Sequence, residues 1–133
     1  MSGSNVAEPT AELTYTISEL ASEFGVTARA IRFYEDKNLL QPRRNGTARI
    51  YERRDRGRLE LILRGKRLGF SLSDISEMLD LYDPHGEGRE QLKVTLAKSR
   101  QRLAALEQQR RDIDDVIEEL RENCSQISAR LDK

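Results

Sequence analysis

Ile17 to Tyr51 reads ISELASEFGVTARAIRFYEDKNLLQPRRNGTARIY, and the fold class turns on how this stretch divides. Ser18 is an N-cap type, Leu20, Ala21 and Phe24 share a helical face behind it, and Gly25 closes the helix. Val26 bridges to Thr27, a second N-cap type. From Thr27 to Lys37, helical spacing puts Ala30, Ile31 and Tyr34 on one face and Arg29, Arg32, Phe33 and Asp36 on another. One face packs and the other presents guanidiniums. Two short helices joined by a glycine-containing turn, the second basic and exposed, predict a helix-turn-helix whose second helix enters the DNA major groove. Beyond Lys37, Asn38 and Pro42 break the helix, and Leu39 and Leu40 form a buried clip. Arg43-Arg44-Asn45-Gly46 then reads as a basic turn between short strand-like pieces, with Arg49-Ile50-Tyr51 returning. That pattern predicts a wing whose positive tip reaches phosphates.

The flanks fit around this unit. Residues 1–13 are small and polar, with nothing to bury, and are expected to be a disordered tail. Tyr15 to Ile17 is expected to extend and pair with the wing. After Tyr51, Glu52 to Leu68 has helical periodicity through Leu59, Ile62 and Leu63, weakened by Gly57. Gly69-Phe70 ends it, and Ser71-Leu72-Ser73-Asp74 opens the next helix with a capping-box pattern. Leu72, Ile75, Met78 and Leu79 line that helix, which is expected to close near Tyr82, Asp83 and Pro84. Met78 among leucines reads as core. A DNA-binding domain over 14–83 and a hinge at 84–88 follow.

From Arg89 to Lys133 there is no glycine or proline, and apolar residues recur at alternating spacings of four and three: Leu92, Leu96, Leu103, Leu106, Ile113, Ile117, Leu120, Cys124, Ile127 and Leu131. Residues 89–133 therefore read as one coiled-coil helix, interrupted in its seam by Ser99 and Arg110. At about 1.5 Å per residue it would be roughly 65 Å long, too long for a small domain to cover, so a partner helix is expected.

Charge separates the same three regions. The net charge is zero, yet residues 14–70 carry 13 Lys and Arg against 7 Asp and Glu, while residues 1–13 are net −2 and residues 71–133 net −4. The positive excess lies on the helix-turn-helix region, as DNA binding requires. The sequence has no apolar run of about 18 residues and no leader pattern, which predicts a cytoplasmic chain without a membrane span. A single cysteine, Cys124, excludes an intrachain disulfide. His85, the one histidine, sits in a loop-forming stretch, so neither a catalytic constellation nor a four-ligand metal site is expected. No enzyme activity and no cofactor are expected.

The segments YTISELA, GVTARAIRFYEDKNLLQP, R-x-Y and LRGKRLGFSLSDI, spanning roughly residues 15–81, resemble the MerR family of bacterial transcription regulators. The stretch LILRGKRLGFSL behind its DRxRLxL lead-in is most similar to regulators of leucine and isovalerate catabolism genes. Two departures stand out. Gly46-Thr47-Ala48-Arg49 replaces the Gly-Tyr-Arg usual in the wing, and Glu52 stands where the family has Ser or Thr. The resemblance implies an all-α fold with a small wing of two to three strands, and long helices paired antiparallel in a homodimer. It implies a palindromic promoter operator on double-stranded DNA, an effect on RNA polymerase exerted through DNA shape, and a small organic effector rather than a metal. The metal-sensing members use paired cysteines near the dimer helix, and no separate ligand-binding domain is expected after residue 133. The DNA-contacting candidates are Arg29 and Arg32 on the second helix, Tyr34 for phosphate although its face also packs, and Arg43, Arg44 and Arg49 in the wing. Arg54, Lys66 and Arg67 follow them. Leu92, Leu96, Leu103, Leu106, Arg110, Ile113, Ile117, Leu120 and Ile127 are the dimerisation candidates. A coiled-coil adaptor or DNA-architectural protein without a promoter-specific role fits the same pattern.

Overall fold

The computed structural model describes residues 13–81 and 88–133. Strand β1 (Thr14–Tyr15) leads into helices α1 (Ile17–Phe24) and α2 (Ala28–Asp36); strands β2 (Arg43–Asn45) and β3 (Ala48–Glu52) form the wing; helices α3 (Arg53–Leu68), α4 (Leu72–Asp80) and α5 (Arg89–Leu131) follow. The expected class, mostly helical with a winged helix-turn-helix and a long final helix, is the one observed.

Local chemistry sets most boundaries. Helix α1 is capped by Thr16, not by Ser18: the Thr16 hydroxyl accepts the Glu19 N–H at 3.0 Å and Glu19 Oε1 accepts the Thr16 N–H at 2.8 Å. The reciprocal box needs an acid three residues on, and Ser18 has Ala21 there. Thr27 caps α2 as expected, accepting the Ala30 N–H at 3.0 Å. Lys37 is its C-cap, and Asn38 takes the left-handed conformation at φ 64° that lets Leu39 and Leu40 turn into the core. At α3 the Asp55 carboxylate accepts the Glu52 N–H at 2.8 Å, so the acid three residues on supplies the return half of a box although Glu52 replaces the hydroxyl. Ser71 Oγ accepts the Asp74 N–H at 3.0 Å to start α4, which ends at Asp80 with Leu81 as its C-cap.

The wing differs from its expected form. Arg43 to Asn45 is not the turn but strand β2, paired antiparallel with β3 through Arg43↔Ile50, Arg44↔Arg49 and Asn45↔Ala48. The turn is only Gly46-Thr47, with Gly46 at φ 66°; a positive φ at the first central position is what a tight II′ hairpin turn asks of glycine. Strand β1 pairs with the other edge of β3, Tyr15 opposite Tyr51, giving the sheet order β1-β3-β2.

The core gathers Leu20, Ile31, Tyr34, Leu39, Leu40, Tyr51, Leu59, Ile62, Phe70, Ile75, Met78 and Leu79. Ala21, Phe24 and Leu63 are half-buried at its rim. Helices α3 and α4 cross closely at Gly65, where an added Cβ would lie 2.8 Å from Ile75 Cγ1. Arg58 ties the segment after α2 to the last turn of α4, its Nε donating to the Leu39 carbonyl at 3.1 Å and its Nη1 to the Leu79 carbonyl at 3.2 Å.

The chain divides into two compact units, one up to Val94 and one from Thr95. Val94 packs on the core of the first. Helix α5 is continuous from Arg89 to Leu131 and none of its residues is buried. Of the tail expected at 1–13 and the hinge expected at 84–88, only Leu13 and Gly88 are among the described residues, and His85 is not. No described helix is long and apolar enough to cross a membrane.

Candidate nucleic-acid interface

Helix α2 carries its two candidate guanidiniums where the spacing predicts. Arg29 and Arg32 are exposed, and neither has an ion pair among the described residues. Phe33 stays 45% exposed beside them, with the Lys37 ammonium 5.5 Å from its ring centroid and the Tyr34 ring edge-on at 5.6 Å. Tyr34 itself shares the face of Ile31 and is 8% exposed, its ring in the core. Burial raises its phenol pKa above the ordinary value, so it stays a neutral hydroxyl.

The three wing arginines are all paired. Arg43 Nε meets Glu52 Oε2 at 3.1 Å across the hairpin, with both side chains more than half exposed, so the pair contributes little. Arg44 Nη2 meets Glu35 Oε2 at 2.7 Å and Arg49 Nε meets Glu35 Oε1 at 2.6 Å. Glu35 is 15% exposed, and its hydrogen bond raises the Arg49 pKa further above its ordinary value. One carboxylate of α2 therefore joins both strands of the wing to that helix. Sequence reading missed Glu35; the available signal was an acid, beside Asp36, near the end of the helix that carries Arg29 and Arg32.

The weaker candidates separate. Arg54, exposed at the start of α3, borders a polar cleft of about 280 Å³ with Asn38, Gln41, Asp55 and Asp80. Burial raises the Asp55 pKa there, opposed by the Glu52 N–H it accepts. Lys66 and Arg67 lie in the last turn of α3, about 18 Å away along the helix at 1.5 Å per residue. There they favour the helix dipole, and the structure does not group them with the wing. A further tie holds α1 to α3: Arg56 pairs with Glu23, its Nε 3.2 Å from Glu23 Oε1, and lies over the Phe24 ring. The Arg56 hydrogen bond lowers the Glu23 pKa.

This geometry has a described counterpart. The sequence profile of the "MerR HTH family regulatory protein" matches residues 15–81, and that of "MerR, DNA binding" matches residues 56–122. The chain belongs to the MerR family. It is 33% identical over 116 residues to the HTH-type transcriptional regulator CueR of Escherichia coli O6:H1, covering 85% of this chain and 78% of CueR. It is 35% identical over 85 residues to CueR of Salmonella typhi, where the match spans 62% of either chain. Among solved structures, a MerR family transcriptional regulator from Bacillus cereus superposes with a TM-score of 0.64 at 32% identity, over 83% of this chain and 79% of that one. HiNmlR, a MerR family regulator lacking the sensor domain, bound to promoter DNA, gives a TM-score of 0.50 at 29% identity over 72% of this chain and 77% of its own. This MerR-family chain is thus a DNA-binding transcription regulator, with α1 and α2 as its helix-turn-helix and β2–β3 as its wing.

Proposed function

We propose that this regulator works as a homodimer, two copies joined along α5 as an antiparallel coiled coil and presenting two recognition helices to a two-fold-related operator within a promoter. The observation that carries this reading is the bare seam of α5. Leu92, Leu96, Leu103, Leu106, Ile113, Ile117, Leu120 and Ile127 are all at least 40% exposed. Val116, at 54%, widens the stripe. Each such side chain gains about 1.5–3 kcal/mol on full burial, and the four-three spacing is the one a partner helix fills. Arg110 interrupts the seam and sets its register by pairing with Asp112, Asp114 or Asp115 of the partner subunit.

Arg29 and Arg32 contact bases or phosphates from α2; Arg43, Arg44 and Arg49 contact phosphates from the wing, and Arg54 extends that contact at its base. Tyr34 adds at most the small exposed edge of its ring. The promoter-bound relative HiNmlR supports a promoter site, where the dimer acts on RNA polymerase by deforming DNA, at a cost on the order of several kcal/mol. The LILRGKRLGFSL stretch supports branched-chain amino acid or acyl-CoA catabolism genes as targets and a small organic effector.

Genome-wide mapping of bound DNA, followed by footprinting and transcription in vitro, tests the reading. It expects one protected palindrome in a promoter, upstream of catabolic genes, and a transcript change on adding acyl-CoA thioesters. Scattered binding with no protected palindrome would instead support a DNA-architectural protein.

A further inference from the structure

Arg44 and Arg49 are direct cross-strand partners in the wing, an arrangement in which like charges repel. Glu35 removes the conflict by giving one carboxylate oxygen to each, at 2.7 and 2.6 Å. It stands one residue from the end of α2, so the hairpin is clamped through both strands to the helix that carries Arg29 and Arg32. We propose that Glu35 is a positioning residue for sequence discrimination, holding the wing at a set place beside the recognition helix and withholding part of its positive charge from DNA of any sequence. This rests on the DNA-contacting roles proposed above for α2 and the wing.

Two physical consequences separate this role from simple bracing. With Glu35 in place, two guanidiniums and one carboxylate leave a single net positive charge at the clamp, and non-specific DNA responds to net charge. At the operator, a wing already ordered against α2 loses less freedom on binding. Removing the charge of Glu35 should therefore strengthen binding to random DNA while weakening the preference for the operator. A residue that merely stabilised the fold would lower both together.

The experiment compares wild type, Glu35→Gln and Glu35→Asp on operator and random duplexes across a salt series, with thermal melts alongside. For Glu35→Gln the salt slope on random DNA should steepen by about 0.9, one charge's worth; with the lines converging near 1 M salt, that is roughly an eight-fold gain at about 0.1 M. The operator-to-random affinity ratio should fall by about ten-fold or more. Glu35→Asp keeps the charge but shortens the reach, so it should lose operator preference with little change in slope. Unchanged slope and ratio in Glu35→Gln would overturn the proposal. If that variant fails to fold, an unchanged ratio in Glu35→Asp would overturn it equally. A wild type whose binding showed no salt dependence and no operator preference would instead sink the DNA-contact assignment on which it rests.

Discussion

Replacing Gly65 by alanine sets two known effects against each other. In an ordinary helix interior the substitution gains about 1 kcal/mol, because glycine has the greater backbone freedom to lose. At this crossing the new Cβ would sit 2.8 Å from Ile75 Cγ1, 3.1 Å from Ile75 Cδ1 and 3.8 Å from Phe70 Cδ2. Gly65 and Ile75 are both buried, so Ile75 cannot swing into solvent and the helices must part by several tenths of an ångström. Overpacking of this kind costs about 1–3 kcal/mol, and the net expectation is a loss of up to about 2 kcal/mol. Thermal denaturation at fixed protein concentration reads this as a fall in Tm of roughly 4–8 °C per kcal/mol. Ile75→Ala alone should cost about 2–5 kcal/mol. In its background Gly65→Ala should turn neutral or stabilising, a coupling of about 1–3 kcal/mol. Stabilisation by Gly65→Ala alone, or strict additivity of the pair, would refute the close crossing as the reason for the glycine.

Arg29→Ala should relax base preference at one operator position by about 1–3 kcal/mol, whereas Arg43→Ala should weaken all sequences alike and flatten the salt slope by about one unit; a competition series over single-base operator variants distinguishes them. Arg58→Met should cost about 1.5–3 kcal/mol in urea denaturation, because charged donors to the Leu39 and Leu79 carbonyls are lost, and Arg58→Lys should recover only part of it. Burial raises the Asp55 pKa in the folded state, so its contribution to stability is full below the unfolded carboxylate value near 3.9 and is lost as pH rises through the folded value. Asp55→Asn should therefore gain stability relative to wild type as pH is raised from about 3 to 7, and a constant or shrinking difference across denaturation curves at those pH values would contradict this.

Elements whose signals are local could be read from the sequence, and those made by distant contacts could not. Thr27, Gly25 and Ser71 act within four residues of themselves, which is why both short helices and the start of α4 were legible. Ser18 offers a capping hydroxyl without a return partner, whereas Glu19 three residues after Thr16 completes the box that starts α1. Strand β2 hid inside Arg43-Arg44-Asn45, a composition with little strand preference, because β3 imposes the extended form. The exposed placement of Arg29 and Arg32 on α2 follows from helical spacing alone. The roles of Glu35, Arg58 and Gly65 depend on partners 9 to 21 residues away, and no periodicity reports such contacts. Tyr34 shows the limit of spacing: i to i+3 from Ile31 places it on the packing face, where the fold uses its ring.

The most direct measurement is sedimentation of the protein with a duplex carrying its mapped site. Two chains per duplex are expected, and Leu106→Asp with Ile113→Asp should reduce the complex to one chain and abolish operator preference while leaving salt-dependent binding to random DNA. One chain per duplex in the wild type, or full operator preference in the seam variant, would contradict a regulator that reads its site with two copies.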